Sequence, residues 1–209
     1  MTAKELNFPI VYNKDRVIGY GGNQEWFLQS WKRNSGCGST SGANLAAYYA
    51  YNYPQMVNIY QGDLINFNQN EYLRVMEEMF TYMKPGPMGF PYIKKFGKKF
   101  VQFCKNHGIS MEACVFDNYK NSDAAFNFVR ESIDARQPIA LLILLHRAKE
   151  LREYTWHWVT ITGYMEDNDN ARASKIIISN YGKREVINKD MMFEVHPKNK
   201  IRMVNFRIK

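Results

Sequence analysis

Apolar residues recur along this chain in two rhythms, and the rhythm changes about two-thirds of the way along. The run Gly38 to about Tyr53, GSTSGANLAAYYAYNY, is rich in small residues in its first half and predicts a tightly packed helix, with Pro54 just past its end. Leu73, Met76, Phe80 and Met83 share one helical stripe and predict a helix over Glu71 to Met83. KPGPMGFP then breaks the chain into a loop. A third helix is expected from about Tyr92 to Asn106, with Ile93, Phe96, Phe100, Phe103 and Cys104 facing inward and Gly108 ending it. Ile109 to Phe116 reads as a strand. A fourth helix follows, opened by Ser122 as N-cap and burying Phe126, Val129 and Ile133. Beyond it the pattern turns to strands. IALLILL, within Pro138 to His146, suits a strand buried on both faces. Trp156 to Tyr164 alternates, and Lys175 to Tyr181, Arg184 to Asn188 and Ile201 to Ile208 are also strand-like. The first 35 residues are mixed, with a short strand at Arg16 to Tyr20 and a Gly21-Gly22 turn.

Helices first and strands last argue for an α+β fold. A single domain is expected, with a helical lobe over about 1–136 packed on an antiparallel sheet lobe over about 137–209. At 209 residues, 45% hydrophobic and 15% aromatic, the chain can fill one sizeable core and reads as neither disordered nor collagenous. The longest apolar run, Ile139 to Leu145, is far short of the roughly 20 residues a membrane-spanning helix needs. The opening MTAKELNFPIVYN lacks a basic region followed by an apolar stretch. No secretory signal is visible there, which leaves the location open and the cytoplasm favoured.

The net charge of +8 concentrates at Lys94, Lys95, Lys98 and Lys99, at Arg147 to Arg152, and at Lys198 to Arg207. The first group lies on a helix face opposite the apolar stripe, as a solvated face would. The other reading is an anionic partner, such as an acidic peptide or a cell-wall polymer. No nucleic-acid motif accompanies the charge, so nucleic acid is not expected as a partner. The three cysteines, Cys37, Cys104 and Cys114, form no CxxC pair and no zinc-spaced cluster with histidine, so no metal or cofactor is expected. Cys104 reads as a small buried apolar residue.

The chemistry concentrates at Asn34-Ser35-Gly36-Cys37-Gly38-Ser39-Thr40. A cysteine between two glycines directly precedes a helix of small residues. A helix N-terminus favours negative charge and lowers a thiol pKa. Flanking glycines let a substrate backbone come close, and free N–H groups at the helix start can donate to an oxyanion. The competing reading is an inert buried cysteine at a helix start.

A nucleophilic thiol needs a base. Of four histidines, His107 and His196 look like surface residues and His146 ends the apolar strand, whereas His157 opens the alternating run Trp156 to Tyr164 between two tryptophans. An imidazole in turn needs an acceptor to set its tautomer. Asn180, in IIISNYG, ends the next strand, 23 residues after His157. Asp167, Asn168, Asp169 and Asn170 are rivals from the intervening loop, where turn-forming roles compete. Trp156, Trp158 and Tyr181 are candidate cleft walls.

GCGSTSGANLAAY, HWVTITGY and IIISNYG, in that order, resemble a papain-like cysteine peptidase, and more closely the bacterial subgroup related to the peptidases that trim double-glycine leaders from bacteriocins. The resemblance implies Cys37 as nucleophile, His157 as base and Asn180 as orienting residue, where relatives often carry Asp. It implies hydrolysis of a peptide or amide bond through a thioester. It also implies a glutamine upstream of Cys37 whose amide completes the oxyanion hole, with Gln29 the nearest and Gln24 the other choice. The same thioester would serve a transpeptidase or amidase, and a non-catalytic binding module with a basic surface is the remaining alternative.

Overall fold

The computed structural model describes residues 2–117, 121–167 and 170–209. In chain order the elements are β1 (Thr2–Glu5), β2 (Ile10–Asn13), β3 (Arg16–Tyr20), α1 (Ser30–Ser35), α2 (Cys37–Asn52), β4 (Phe67–Asn68), α3 (Gln69–Tyr82), α4 (Ile93–Asn106), β5 (Met111–Phe116), α5 (Ser122–Asp134), β6 (Ile139–Leu145), β7 (His157–Glu166), β8 (Lys175–Asn180), β9 (Lys183–Asn188), α6 (Lys189–Met192) and β10 (Lys200–Ile208). The architecture is α+β. Helices pack on a seven-stranded sheet of order β5-β10-β6-β7-β8-β9, with β1 added on β7 and every pairing antiparallel.

The apolar run Ile139–Leu145 forms β6, between β10 and β7, and its first six residues are buried as a continuous hydrophobic strand should be. β7 is long enough to take two partners end to end on one edge. His157 to Ile161 pair with β6, and Gly163 to Glu166 pair with β1.

α2 is the central helix. Residues 38–50 are all buried, because Gly38, Ser39, Ser41, Gly42 and the alanines leave room for neighbours on every side. At Gly42 a Cβ would stand 2.7 Å from Met79 Cγ, so the glycine permits the close approach of α3. α4 buries Ile93, Phe96, Phe100, Phe103 and Cys104 as its periodicity predicts. Phe96 also stacks on Trp158, with ring centroids 4.3 Å apart.

Three details differ from expectation. The sheet recruits residues 2–5, and also the expected strand at 111–116, from the lobe expected to be mainly helical, and that lobe carries its own small sheet, β3-β2-β4. The N-cap of α5 is Asn121, whose Oδ1 accepts from the Ala124 N–H at 2.8 Å; Ser122 is the first helical residue and its hydroxyl donates to Asp190. On α3 the buried face is wider than the expected stripe, taking in Tyr72, Val75 and Met79 while Leu73 is part-exposed. Among the described residues no helix is long and apolar enough to cross a membrane.

Candidate active site

Gly36 caps α2 and ends α1, so Cys37 becomes the first residue of the central helix. The glycine is needed for packing. A Cβ there would meet the Phe27 ring at 2.4 Å and the Lys32 carbonyl at 2.6 Å. The helix N-terminus directs its positive end at the thiol. The cysteine residue is part-exposed, yet enough protein surrounds its sulfur that burial pushes the thiol pKa up, with the backbone N–H groups of Trp158, Gly38 and Cys37 itself pulling the other way. Against the lowering expected of a helix terminus, desolvation is the larger effect here.

β7 and β8 pair antiparallel, with Thr160 opposite Ser179, which sets the end of β8 beside the start of β7. His157 Nε2 donates to Asn180 Oδ1 at 2.8 Å, and both residues are buried. Burial lowers the imidazole pKa, opposed by the Asn180 hydrogen bond and the Glu185 charge. Desolvation thus drives both Cys37 and His157 toward their neutral forms. With the amide oxygen toward the ring, Nε2 carries the proton and the lone pair lies on Nδ1. His157, Asn180 and Cys37 line one small pocket together.

Beneath this pocket a buried polar strip fixes α2 against β7. Ser41, one turn after Cys37, lies 3.2 Å from the Thr160 hydroxyl, and Asn44 Nδ2 donates to Thr160 Oγ1 at 3.3 Å. Asn44 Oδ1 accepts from the Gly22 N–H and from the Tyr72 hydroxyl, each at 2.7 Å. Fully partnered in a low-dielectric interior, such a network holds its members in one register.

Two backbone features frame the pair. Trp156 and Tyr181, immediately before His157 and after Asn180, both adopt left-handed φ, +58° and +47°. Such conformations cost about 1–3 kcal/mol and cluster at functional sites. Tyr181 and Gly182 (φ +71°) form the two-residue turn between β8 and β9. The Tyr181 ring stacks on His157, and its hydroxyl accepts from Gln24 Nε2 at 3.4 Å. The imidazole is therefore covered by Tyr181 on this side. Trp158 turns inward, its indole N–H donating to the Phe90 carbonyl at 2.8 Å, and Trp156 is 45% exposed at the rim of an adjoining apolar pocket with Met88 and Phe90.

Gln29 does not reach this site. It is exposed at the start of α1, where its carbonyl accepts from the Lys32 and Arg33 N–H groups and its side chain makes no capping bond. The short turn of α1 lies between it and Cys37 and carries its amide to the surface. Gln24, the other choice, is buried in the shared pocket, and its Nε2 is anchored on the Arg33 carbonyl at 2.7 Å.

The rival side chains are occupied elsewhere. Asp167 Oδ1 accepts from the Asn170 N–H and Asn170 Oδ1 from the Arg172 N–H, both inside their own turn; Asn168 and Asp169 lie outside the described residues. His146 accepts from the Ala148 N–H and contacts Asn199. His107 is more enclosed than expected, packed on Phe103 and 3.3 Å from Glu78. His196 accepts from the Lys198 N–H.

Two partners of the site carry no sequence signal of their own. Asn180 Nδ2 donates to both oxygens of Glu185 at 3.3 Å, and the Tyr154 hydroxyl donates to Glu185 Oε2 at 2.5 Å. Glu185 sits in the charged run Lys183-Arg184-Glu185, which looks like solvated surface. Only the register of the β8–β9 hairpin brings it back toward Asn180. Among the described residues no cluster of three or more His, Cys, Asp or Glu is placed to hold a metal ion.

Comparison of the chain with known family models and with curated proteins finds no match.

Proposed function

We propose that this protein is a papain-like cysteine peptidase that cleaves a peptide or amide bond through a thioester. The observation that carries the reading is the buried 2.8 Å bond from His157 Nε2 to Asn180 Oδ1, in a pocket shared with a cysteine at a helix N-terminus. The triad resembles that of the bacterial peptidases acting on double-glycine leaders, with Asn180 in place of the frequent Asp.

In this mechanism Cys37 Sγ attacks the carbonyl carbon while its proton passes to Nδ1 of His157. Burial disfavours a resting ion pair, so proton transfer accompanies attack, as general-base catalysis requires. The oxyanion is met by the Cys37 N–H and by Gln24 Nε2, which gives up its long contact with the Tyr181 hydroxyl. The imidazolium then protonates the leaving amine, and water hydrolyses the thioester. The apolar pocket beside Cys37, rimmed by Met88, Phe90 and Trp156, is where a substrate side chain would lie.

The test is incubation of wild type and Cys37→Ala with a peptide library, followed by mass spectrometry of the products. Cleavage by wild type alone, blocked by iodoacetamide, is expected. Equal product profiles from the two proteins would remove the peptidase reading. A joined product carrying an added amine, rather than a hydrolysed one, would mean that the thioester serves transpeptidation.

A further inference from the structure

An asparagine amide can bond an imidazole from either end, and the two orientations have opposite consequences. With Oδ1 toward the ring, Nε2 carries the proton and Nδ1 is basic. With Nδ2 toward the ring, the tautomer reverses and the basic nitrogen faces the amide instead of the thiol. The hydrogen bond between His157 and Asn180 cannot choose between these states, because each is internally consistent. The choice must come from what Asn180 touches on its other side.

That partner is Glu185. Its carboxylate receives the Asn180 amide on both oxygens at 3.3 Å, and a carboxylate only accepts. Reversing the amide would put Oδ1 against two carboxylate oxygens. The carboxylate is itself held by the Tyr154 hydroxyl, whose residue is buried within the segment leading into β7. A directed chain therefore runs Tyr154, Glu185, Asn180, His157, with every donor and acceptor role set by the one group that can play a single part. We infer that Glu185 is a positioning residue that acts through Asn180 to hold the proton on Nε2 of His157 and keep Nδ1 as the base.

This inference rests on the peptidase reading for its purpose, though not for its geometry. It explains how asparagine can stand where a carboxylate would otherwise stabilise the imidazolium: the negative charge is kept, one residue further out. Glu185 accepts from the Tyr154 hydroxyl, and its charge acts on His157 beyond Asn180. On its own strand Arg184 turns to the opposite face and pairs with Glu5 at 2.7 Å, while the exposed Lys183 makes no ion pair with it.

The experiment reads the tautomer directly, by side-chain nitrogen NMR of His157 in wild type, Glu185→Ala and Glu185→Gln, alongside the rate at which iodoacetamide labels Cys37. Wild type should show the Nε2–H form alone. Glu185→Ala should show both tautomers and label roughly tenfold more slowly, a fraction of the 10²–10⁴ that a placed base contributes. Glu185→Gln keeps an acceptor and should keep the tautomer, while its imidazole titrates at lower pH for want of the charge. Should the alanine variant fail to fold, the glutamine variant's titration still decides. An Nδ1–H tautomer in wild type, or variants identical to wild type in tautomer and titration, would overturn the role of Glu185. Labelling of Cys37 that ignores His157→Ala would instead remove the peptidase reading and leave the tautomer result standing.

Discussion

Tyr181 lies flat on His157, with ring centroids 4.8 Å apart and planes within 11°. The tyrosine holds that pose at φ +47°, a conformation a glycine would adopt without strain. Stacking is worth about 0.5–1.5 kcal/mol, close to the strain it offsets. Tyr181→Gly should therefore change thermal stability little while lowering turnover, because water then reaches the imidazole. Tyr181→Phe should keep both. A glycine variant that turns over as fast as wild type would show that the ring has no part in the chemistry.

His157→Ala should reduce turnover by about 10²–10⁴, the contribution of a placed general base. His107→Ala, His146→Ala and His196→Ala should keep most activity, since none of them lines the pocket of Cys37 and their nitrogens are engaged elsewhere. Rates for the four variants on one cleaved peptide decide this. Loss of activity in His146→Ala together with a normal His157→Ala would put the base on the wrong strand.

Asn180→Asp gives a sharper outcome than removal of the side chain. A new carboxylate would face Glu185 across the distance that now separates amide from carboxylate, 3.3 Å. Two such groups share one proton. The single variant should be less active than wild type at pH 7, and Asn180→Asp with Glu185→Gln should recover activity. Asn180→Ala should cost roughly ten- to a hundredfold, less than loss of the base. An Asn180→Asp enzyme faster than wild type would show that the Glu185 charge is not felt at the site.

Gly36→Ala should destabilise the fold by about 1–3 kcal/mol, the usual cost of overpacking. One of the atoms its Cβ would meet is the Lys32 backbone carbonyl, which cannot swing aside. The start of α2 would shift, so activity should fall by more than the stability loss explains. Denaturant unfolding and turnover measured together test the point.

Cys104, fully buried on α4, has its thiol pKa pushed up to about 12 by desolvation. A raised folded-state value means that the native protein keeps a proton the unfolded chain gives up. Stability is therefore whole below pH 8.5 or so and is lost between there and about 12, at about 1.4 kcal/mol per pKa unit. His157 has the opposite sign: its lowered value costs stability as pH falls below about 6.5, where the unfolded chain takes up the proton first. Denaturant midpoints should therefore peak between those limits. In Cys104→Ala the alkaline fall should be shallower, although the neutral midpoint drops. An unchanged alkaline slope would mean that Cys37 and the buried Tyr49 and Tyr72, whose acid groups burial also pushes up, carry the whole effect.

Helices α3 to α5 were legible because each buries one helical stripe, α2 because its small residues and its burial on every side mark a central helix, and β6 because its apolar run is continuous. β1 was not. Thr2–Glu5 is exposed throughout and joins the sheet by backbone pairing, which leaves no hydrophobic pattern. Cys37, His157 and Asn180 each sit at the boundary of an element, where composition is distinctive, and the structure brings them to one pocket. Gln29 was favoured on sequence distance alone, and α1, too short to show a period, is what turns it away. Glu185 needed strand register, which a run of charges does not disclose.

The long span between Cys37 and its partners bears on synthesis. A ribosome releases the thiol about 120 residues before His157 and still longer before Asn180 and Glu185, and domains mature only as their non-local contacts close. Throughout that interval the nascent chain carries a cysteine with no base beside it and no β7 to lie against. On the peptidase reading, competence to cut would thus arrive only once β7, β8 and β9 have all been made, so a shorter copy would be harmless to its neighbours.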